Sequence, residues 1–371
     1  MRVGLVVNPV AGVGGRVGLK GSDGAEVQAR AFALGAVPRA AERAAVALSE
    51  LAARRRDVAV LTVAGAMGEE AARAAGLAPE VVFSAGEPTS AADTVAAARA
   101  LASRVDLLLF AGGDGTARDV LEAVGDAVPV LGIPTGVKMH SAVFAVNPRA
   151  AGEVAAIATR VRDAEVVDRV DGSPRLFGYL RVPDVPARVQ QRKIGGSSVT
   201  PDAVSGIATE LRALLSPGDL LVLGPGTTTR AVAAVWGLEV PVLGVNVIEG
   251  DEIVASDVGA DRLLDLVSGR PAHIALTPIG GQGFLLGRGN QQLSPEVLRA
   301  VGLERLHVVA TEAKVVALGG RPLLVDTGDD VLDQAFPRYV RVITGWRRTI
   351  LYPLSNPLSN PLSCSLSERQ S

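Results

Sequence analysis

One carboxylate stands among glycines in the run Gly112-Gly113-Asp114-Gly115-Thr116, directly behind an apolar stretch of strand length at residues 105–111. Glycines let a backbone approach a phosphate closely, and the free N–H groups and dipole of a following helix favour its negative charge. A carboxylate repels phosphate, so Asp114 suits metal binding or removal of a proton from an attacking hydroxyl. The plainer alternative is a tight turn whose Asp only caps the helix. Thr116 and Asp119 have capping-box spacing, which starts that helix at Thr116.

Two more loops carry the same chemistry. After the apolar run at residues 2–7, Asn8-Pro9 leads into residues 11–24, where six glycines accompany Arg16, Lys20, Ser22 and Asp23. This is a second phosphate-loop candidate, with a flexible surface loop as its alternative. After residues 128–133 comes Pro134-Thr135-Gly136-Val137-Lys138-Met139-His140, in which Lys138 and His140 suit a phosphate or a ribose hydroxyl. Only four lysines occur (Lys20, Lys138, Lys193 and Lys314) in a chain that otherwise uses Arg, so each marks a place for a compact ammonium.

The elements that position these loops follow from hydrophobic periodicity. Strands at 2–7, 57–63, 81–83, 105–111 and 128–133 alternate with helices at 39–55, 67–75, 88–103 and 116–124. Ser90 and Asp93 form a capping pair. Such alternation implies right-handed crossovers and a parallel sheet, whose ligands sit at the carboxyl ends of the strands. All three loops lie at those ends, so they should converge on one cleft.

The expected fold class is α/β: a Rossmann-like parallel-sheet domain over residues 1–146, then a second, mixed α/β or β-rich domain over 147–350. In the latter, helices are expected at 148–161 and 203–215, strands at 164–170, 176–182, 219–223, 241–247, 272–276 and 306–310, and closing strands at 339–343 and 348–352. Residues 183–201 are expected as an exposed loop. The turn Gly224-Pro225-Gly226-Thr227-Thr228-Thr229 is another anion-type turn, with hydroxyls in place of Lys. The amides and glycines at 277–292 suit either polar-ligand recognition or a self-bonded turn. The acidic run 326–330 reads as a solvated helix N-terminus rather than a metal site. The repetitive tail, residues 351–371, is expected to be disordered.

Composition sets the bounds. The 371 residues are 48% hydrophobic but only 3% aromatic, so the cores must be Val, Leu and Ala. With 37 basic against 39 acidic residues there is no basic footprint for nucleic acid or an anionic membrane. The only cysteine, Cys364, excludes a disulfide framework and a Cys-based metal site. The N-terminus runs straight into a strand, and no apolar run is long enough to span a bilayer. A cytoplasmic protein with small-molecule substrates, no nucleic-acid or membrane partner, and homo-oligomeric assembly is expected.

Gly-Gly-Asp-Gly-Thr at 112–116 is the signature of the ATP-NAD kinase and diacylglycerol kinase superfamily, which this chain resembles. Gly14-Gly15-Arg16-Val17-Gly18-Leu19-Lys20-Gly21 looks like the AcoX-like branch of the ATP-NAD kinases, and Thr135-Gly136 matches their Thr-Gly. Lipid kinases of the superfamily carry Pro-x-Gly-Thr-x-Asn-Asp there; Pro134 and Gly136 match, but Val137 replaces the Thr and no Asn-Asp follows. The resemblance implies phosphoryl transfer from ATP, or another nucleoside triphosphate, with Mg²⁺, to the 2′-hydroxyl of NAD. It implies Asp114 as the catalytic residue. The candidate cofactor-binding positions are Asn8, Gly14, Gly15, Lys20, Gly112, Gly113, Gly115, Thr116, Thr135, Gly136, Lys138 and His140, with metal ligands unassigned. The Asn-Glu pair that NAD kinases use toward nicotinamide has no counterpart here; Gly250-Asp251-Glu252 is nearest and lacks the Asn. The acceptor is therefore the open question: NAD, another small hydroxyl compound or a lipid, or none in a nucleotide-binding regulator.

Overall fold

A computed structural model describes residues 1–19, 25–135, 139–170, 173–185, 201–279 and 282–355. The first half runs β1 (Arg2–Val7), α1 (Ala25–Ala33), α2 (Ala40–Arg54), β2 (Ala59–Val63), α3 (Glu69–Ala74), β3 (Glu80–Phe83), α4 (Ala91–Ala102), β4 (Leu107–Gly112), α5 (Asp114–Val124), β5 (Val130–Pro134) and α6 (Pro148–Ile157). The five strands form one parallel sheet in the order β3-β2-β1-β4-β5. Every residue of β4 and β5 is buried, as parallel strands covered on both faces require. Helix α2 packs on α6 and α4 on α5. At the start of α4, Ser90 and Asp93 form the expected capping box. Helix α1 was not anticipated from the sequence. With few aromatics the core is built of Val, Leu and Ala, around one edge-on ring pair, Phe110 and Phe144.

An antiparallel hairpin, β6 (Val161–Val170) and β7 (Ser173–Pro183), follows. Ala164, Val166, Leu180 and Val182 of this hairpin join the first core, so that core continues beyond residue 146.

The second half contains α7 (Pro201–Ala213), β8 (Leu220–Leu223), α8 (Thr227–Val235), β9 (Asn246–Glu249), β10 (Glu252–Ala255), α9 (Ala260–Val267), β11 (Ala272–Leu276) and α10 (Pro295–Val301). It ends with β12 (Leu306–Val309), α11 (Glu312–Ala317), β13 (Leu323–Leu324), α12 (Asp330–Ala335), β14 (Tyr339–Gly345) and β15 (Arg348–Ser355). Its eight strands form a mixed sheet, β10-β9-β8-β11-β12-β14-β15-β13. β8, β11, β12 and β14 are parallel neighbours, while β9, β10 and β15 pair antiparallel. One face packs on α7 and α8, the other on α9, α10 and α11. Of the two expected forms, mixed α/β or β-rich, this is the mixed α/β one. The strand expected at 241–247 instead occupies Asn246–Glu249. Strand β15 reaches Ser355, because its backbone pairs with β14 and β13, so residues 351–355 are not part of a tail. Residues 356–371, and most of the loop expected at 183–201, lie outside the described residues. No helix among the described residues is long and apolar enough to cross a membrane.

Two histidines sit between adjacent strands of this sheet. The rings of His273 and His307 stack at 5.2 Å, with Nδ1 of the first 2.9 Å from Nε2 of the second. Asp219 lies 3.5 Å from His273 Nε2. Burial, then the neighbouring His273, push the His307 pKa down from 6.5 to about 4. Between those values the unfolded chain binds a proton that the folded chain refuses. Stability contributed here is therefore lost as pH falls from 6.5 toward about 4. Asp333 acts in the opposite sense. Burial raises its carboxyl from 3.8 to about 6, so its contribution is lost as pH rises through that range. His307→Gln should lower the acid sensitivity: its melting temperature should drop less than that of the wild type between pH 6.5 and about 4. Identical pH profiles would exclude His307 as the source.

Candidate active site

The chain leaves β1 toward β2 and leaves β4 toward β5, so neighbouring strands β1 and β4 form a topological switch point, where open α/β sheets bind ligands. The loops beyond the two strands meet there. Asn8 N–H donates to the Ala111 carbonyl at 2.9 Å, and Asn8 Nδ2 donates to Thr116 Oγ1 at 3.1 Å. Gly112 packs so tightly under Thr116 that a Cβ on it would lie 2.3 Å from Thr116 Oγ1. Helix α5 begins at Asp114, with Gly113 as N-cap and no side-chain cap. The capping box expected from Thr116 and Asp119 therefore does not start the helix: Thr116 is already in the first turn, and its hydroxyl is used by Asn8. The leading N–H groups of α5 have no intrahelical acceptor and form a positive end.

Asp114 is 6% exposed. Its Oδ2 accepts from the His140 backbone N–H at 2.7 Å and lies 3.2 Å from His140 Nδ1, while Oδ1 accepts from Ser141 N–H at 3.0 Å. Ser141 is pinned in turn: its hydroxyl donates to the Val167 carbonyl on β6 and accepts from Val167 N–H. The hairpin thus holds the loop that orients the carboxylate. The third loop stays at the turn as well, since Thr135 N–H donates to the Gly112 carbonyl at 3.3 Å.

Beside Thr135 a solvent-open cleft runs between the two halves of the chain. Gly12, Gly15 and Arg16 of the first loop line it with Arg39, Arg43, Arg288 and Ser294. Arg43 donates to the Pro134 carbonyl and to Asp326 Oδ2, each at 2.5 Å. Arg288 donates to the same Asp326 oxygen at 3.1 Å and to the Val146 carbonyl at 3.0 Å. Burial lowers the Arg288 pKa to about 10, against the raising effect of Asp326, so it stays charged at neutral pH. Burial alone would raise the Asp326 carboxyl, but Arg43 and Arg288 outweigh it and hold the group lowered. Arg16 pairs with Glu296 and Arg39 with Glu42. Four guanidiniums thus meet three carboxylates, leaving an excess of positive charge at the cleft. Thr135 Oγ1 and Arg288 Nε are buried without a hydrogen-bond partner. Such orphaned groups suit a polar anionic ligand.

Of the expected binding positions, Asn8, Gly112, Gly113, Gly115, Thr116, Thr135 and His140 gather around Asp114, and Gly15 faces the cleft. Gly14 lies in the same glycine loop, where its carbonyl accepts from Leu19 N–H. Lys20, Gly136 and Lys138 lie outside the described residues. Arg39, Arg43 and Arg288 carry no signal in the sequence that marks them as site residues. Asp326, expected in a solvated helix start, is instead buried between Arg43 and Arg288, and Asp329 caps α12. The 277–292 segment proves largely self-bonded: Asn290 accepts from Gly287 N–H and donates to the Leu285 carbonyl. Its Gln282 also reaches across to the Met139 carbonyl. Gly250-Asp251-Glu252 forms the exposed β9–β10 turn, with Asp251 paired to Arg212. No group of three or more His, Cys, Asp or Glu among the described residues is placed to hold a metal.

Two models of one family match the chain: the ATP-NAD kinase N-terminal domain over residues 3–161 and the ATP-NAD kinase C-terminal domain over residues 220–354. No curated protein matches. Among solved structures, two titled "putative diacylglycerol kinase" and one titled as a diacylglycerol kinase, all from Bacillus anthracis str. Sterne, are 18% identical, with TM-scores of 0.26, 0.27 and 0.26. Each alignment covers 47% of this chain and 46–47% of the other, so the chain spans about half the length of the structures it matches.

Proposed function

The chain belongs to the ATP-NAD kinase family, and from that premise we propose that it transfers a phosphoryl group from a nucleoside triphosphate to a hydroxyl of a small acceptor, with the 2′-hydroxyl of NAD as first candidate. The carrying observation is the contiguity of the cationic cleft with the Gly-rich turn, joined through Thr135. Arg16, Arg39, Arg43 and Arg288 would neutralise phosphate charge, and the first turn of α5 would supply backbone N–H donors. In the transfer, the acceptor oxygen bonds to the terminal phosphorus, the bridging P–O bond breaks, and the nucleoside diphosphate leaves with that electron pair. Asp114 would accept the acceptor's proton, its carboxylate held in line by His140 and Ser141. Mg²⁺ would arrive largely on the donor's own phosphates, needing one or two protein carboxylates at most.

A different small hydroxyl acceptor is the second reading, favoured by the missing Asn-Glu pair. Purified protein with ATP and Mg²⁺ should be screened against NAD, NADH, small alcohols, sugars and lipids, reading diphosphate release and product mass. NADP formation would support the first reading. Turnover of diacylglycerol or a sphingoid base, with none on NAD, would overturn both soluble-acceptor readings. Nucleotide binding without any turnover would leave a regulator.

A further inference from the structure

In the second sheet, too, the connections from two neighbouring parallel strands, β8 and β11, part to opposite sides, although β9 runs antiparallel to β8. From β8 the chain moves through α8 to β9 on one side, whereas β11 leads through α10 to β12 on the other. Helix α8 lies with α7 on one face of the sheet, and α10 lies on the opposite face. The connections beyond neighbouring parallel strands β8 and β11 therefore diverge to opposite faces, the arrangement that in open α/β sheets places ligands at the carboxyl ends of the strands.

The residues at that edge bear on phosphate rather than on hydrophobic ligands. β8 ends in Gly224-Pro225-Gly226, and α8 starts at Thr227 with Gly226 as N-cap and no side-chain cap. The turn is fixed from within, because Thr229 Oγ1 donates to the Gly224 carbonyl at 2.7 Å. Gly226 has φ 151° and lies so near β11 that a Cβ would come within 2.4 Å of Thr277 Cγ2. Thr228, in the first turn of α8, is 1% exposed, and its hydroxyl has no hydrogen-bond partner. From the end of the next strand, β12, comes Lys314, whose Nζ donates to Thr277 Oγ1 at 2.7 Å. An uncapped helix start that carries an unsatisfied buried hydroxyl thus stands beside Thr277, whose own hydroxyl holds the Lys314 ammonium. Lys314 is also the one lysine among the described residues.

We propose that this sheet edge, at the carboxyl ends of β8, β11 and β12, is a second anion site that takes the phosphate of a singly phosphorylated small molecule. One ammonium and one helix N-terminus balance a single phosphate, not a triphosphate. The turn carries no carboxylate counterpart of Asp114, so the site binds and does not transfer. It does not depend on the kinase reading, since none of its residues belongs to the Arg-lined cleft.

The test uses the full chain and inorganic phosphate, followed by ³¹P transverse relaxation. Arg16→Gln with Arg39→Gln first weakens the cleft, whose arginines also bind phosphate. In that background a remaining phosphate site is expected. Adding Lys314→Gln or the isosteric Thr228→Val should weaken it by roughly tenfold or more, as for loss of a hydrogen bond to a charged group. Circular dichroism confirms folding; should Lys314→Gln unfold the chain, Thr228→Val decides alone. No phosphate binding in the cleft double variant, or binding unchanged by Lys314→Gln and Thr228→Val, would overturn the proposal. Failure of the acceptor screen would leave this outcome untouched.

Discussion

Asp114→Asn is expected to lower kcat by ~10²–10⁴-fold, the usual effect of losing a positioned general base. The substitution keeps shape but can neither take a proton nor carry charge. It also has a structural cost beyond that of an exposed cap. The carboxylate accepts from two backbone N–H groups, of His140 and Ser141. An amide has one acceptor oxygen, so one buried N–H would face an NH₂ group. That costs about 1–3 kcal/mol, against about 1 kcal/mol for a simple N-cap. Thermal melting, nucleotide affinity and kcat should be measured on both proteins together. Nucleotide affinity should hold or tighten, because a charge that repels phosphates is gone. Ser141→Ala is the companion variant. It frees the loop from Val167 without altering the carboxylate, so it separates positioning from proton transfer. If Asp114→Asn keeps kcat within about threefold of wild type, the catalytic assignment fails.

Removing Asp326 should be the most destabilising single change at the junction between the two halves. Its carboxylate is the shared partner of Arg43 and Arg288, both largely buried. Asp326→Ala leaves two guanidiniums without the carboxylate they share, which costs about 3–5 kcal/mol when a buried pair loses one member. Arg43 comes from α2 and Arg288 from the 277–292 segment, so the loss also loosens the two cores from each other. The chain has 2 tryptophans, Trp236 and Trp346, both in the second half. Their fluorescence reports that half alone, whereas circular dichroism reports the whole. In urea the two probes should separate for Asp326→Ala more than for wild type. Added phosphate should raise the melting temperature of Asp326→Ala more than that of wild type, since an anion can replace the lost carboxylate. A destabilisation below about 1 kcal/mol would mean that the ion cluster does not hold the junction.

Much of this molecule was legible from local pattern. The alternation of short Val- and Leu-rich runs with Ala-rich periodic stretches determined the parallel first sheet, because period and length distinguish buried strands from helices. Ser90 and Asp93 were readable as a cap because both partners of a capping box lie within one turn. The Gly-rich turn stood out for the same reason, since its whole chemistry is contiguous in five residues, 112–116. Even the neighbourhood of Asp114 followed partly from the sequence: His140 belongs to a loop after a parallel strand, which returns to the same sheet edge.

Tertiary structure alone decided what required partners far apart in the chain. Arg43, Arg288 and Asp326 are ordinary charges in the sequence, and Asp326 opens an acidic run that resembles any exposed helix start. Only folding brings Arg43 to Asp326 across 283 residues, and burial then turns a solvated carboxylate into the centre of a charged cluster. Thr116 shows the same limit at short range: its spacing to Asp119 permits a cap, but the approach of Asn8 from β1 claims the hydroxyl and the helix starts earlier. The sequence by itself determined the elements and the phosphate-type turns, because dihedral preference and hydrophobic period are local. Which charges face one another, and which hydroxyls are left without partners, was decided by packing, because desolvation and Coulomb attraction act between neighbours in space.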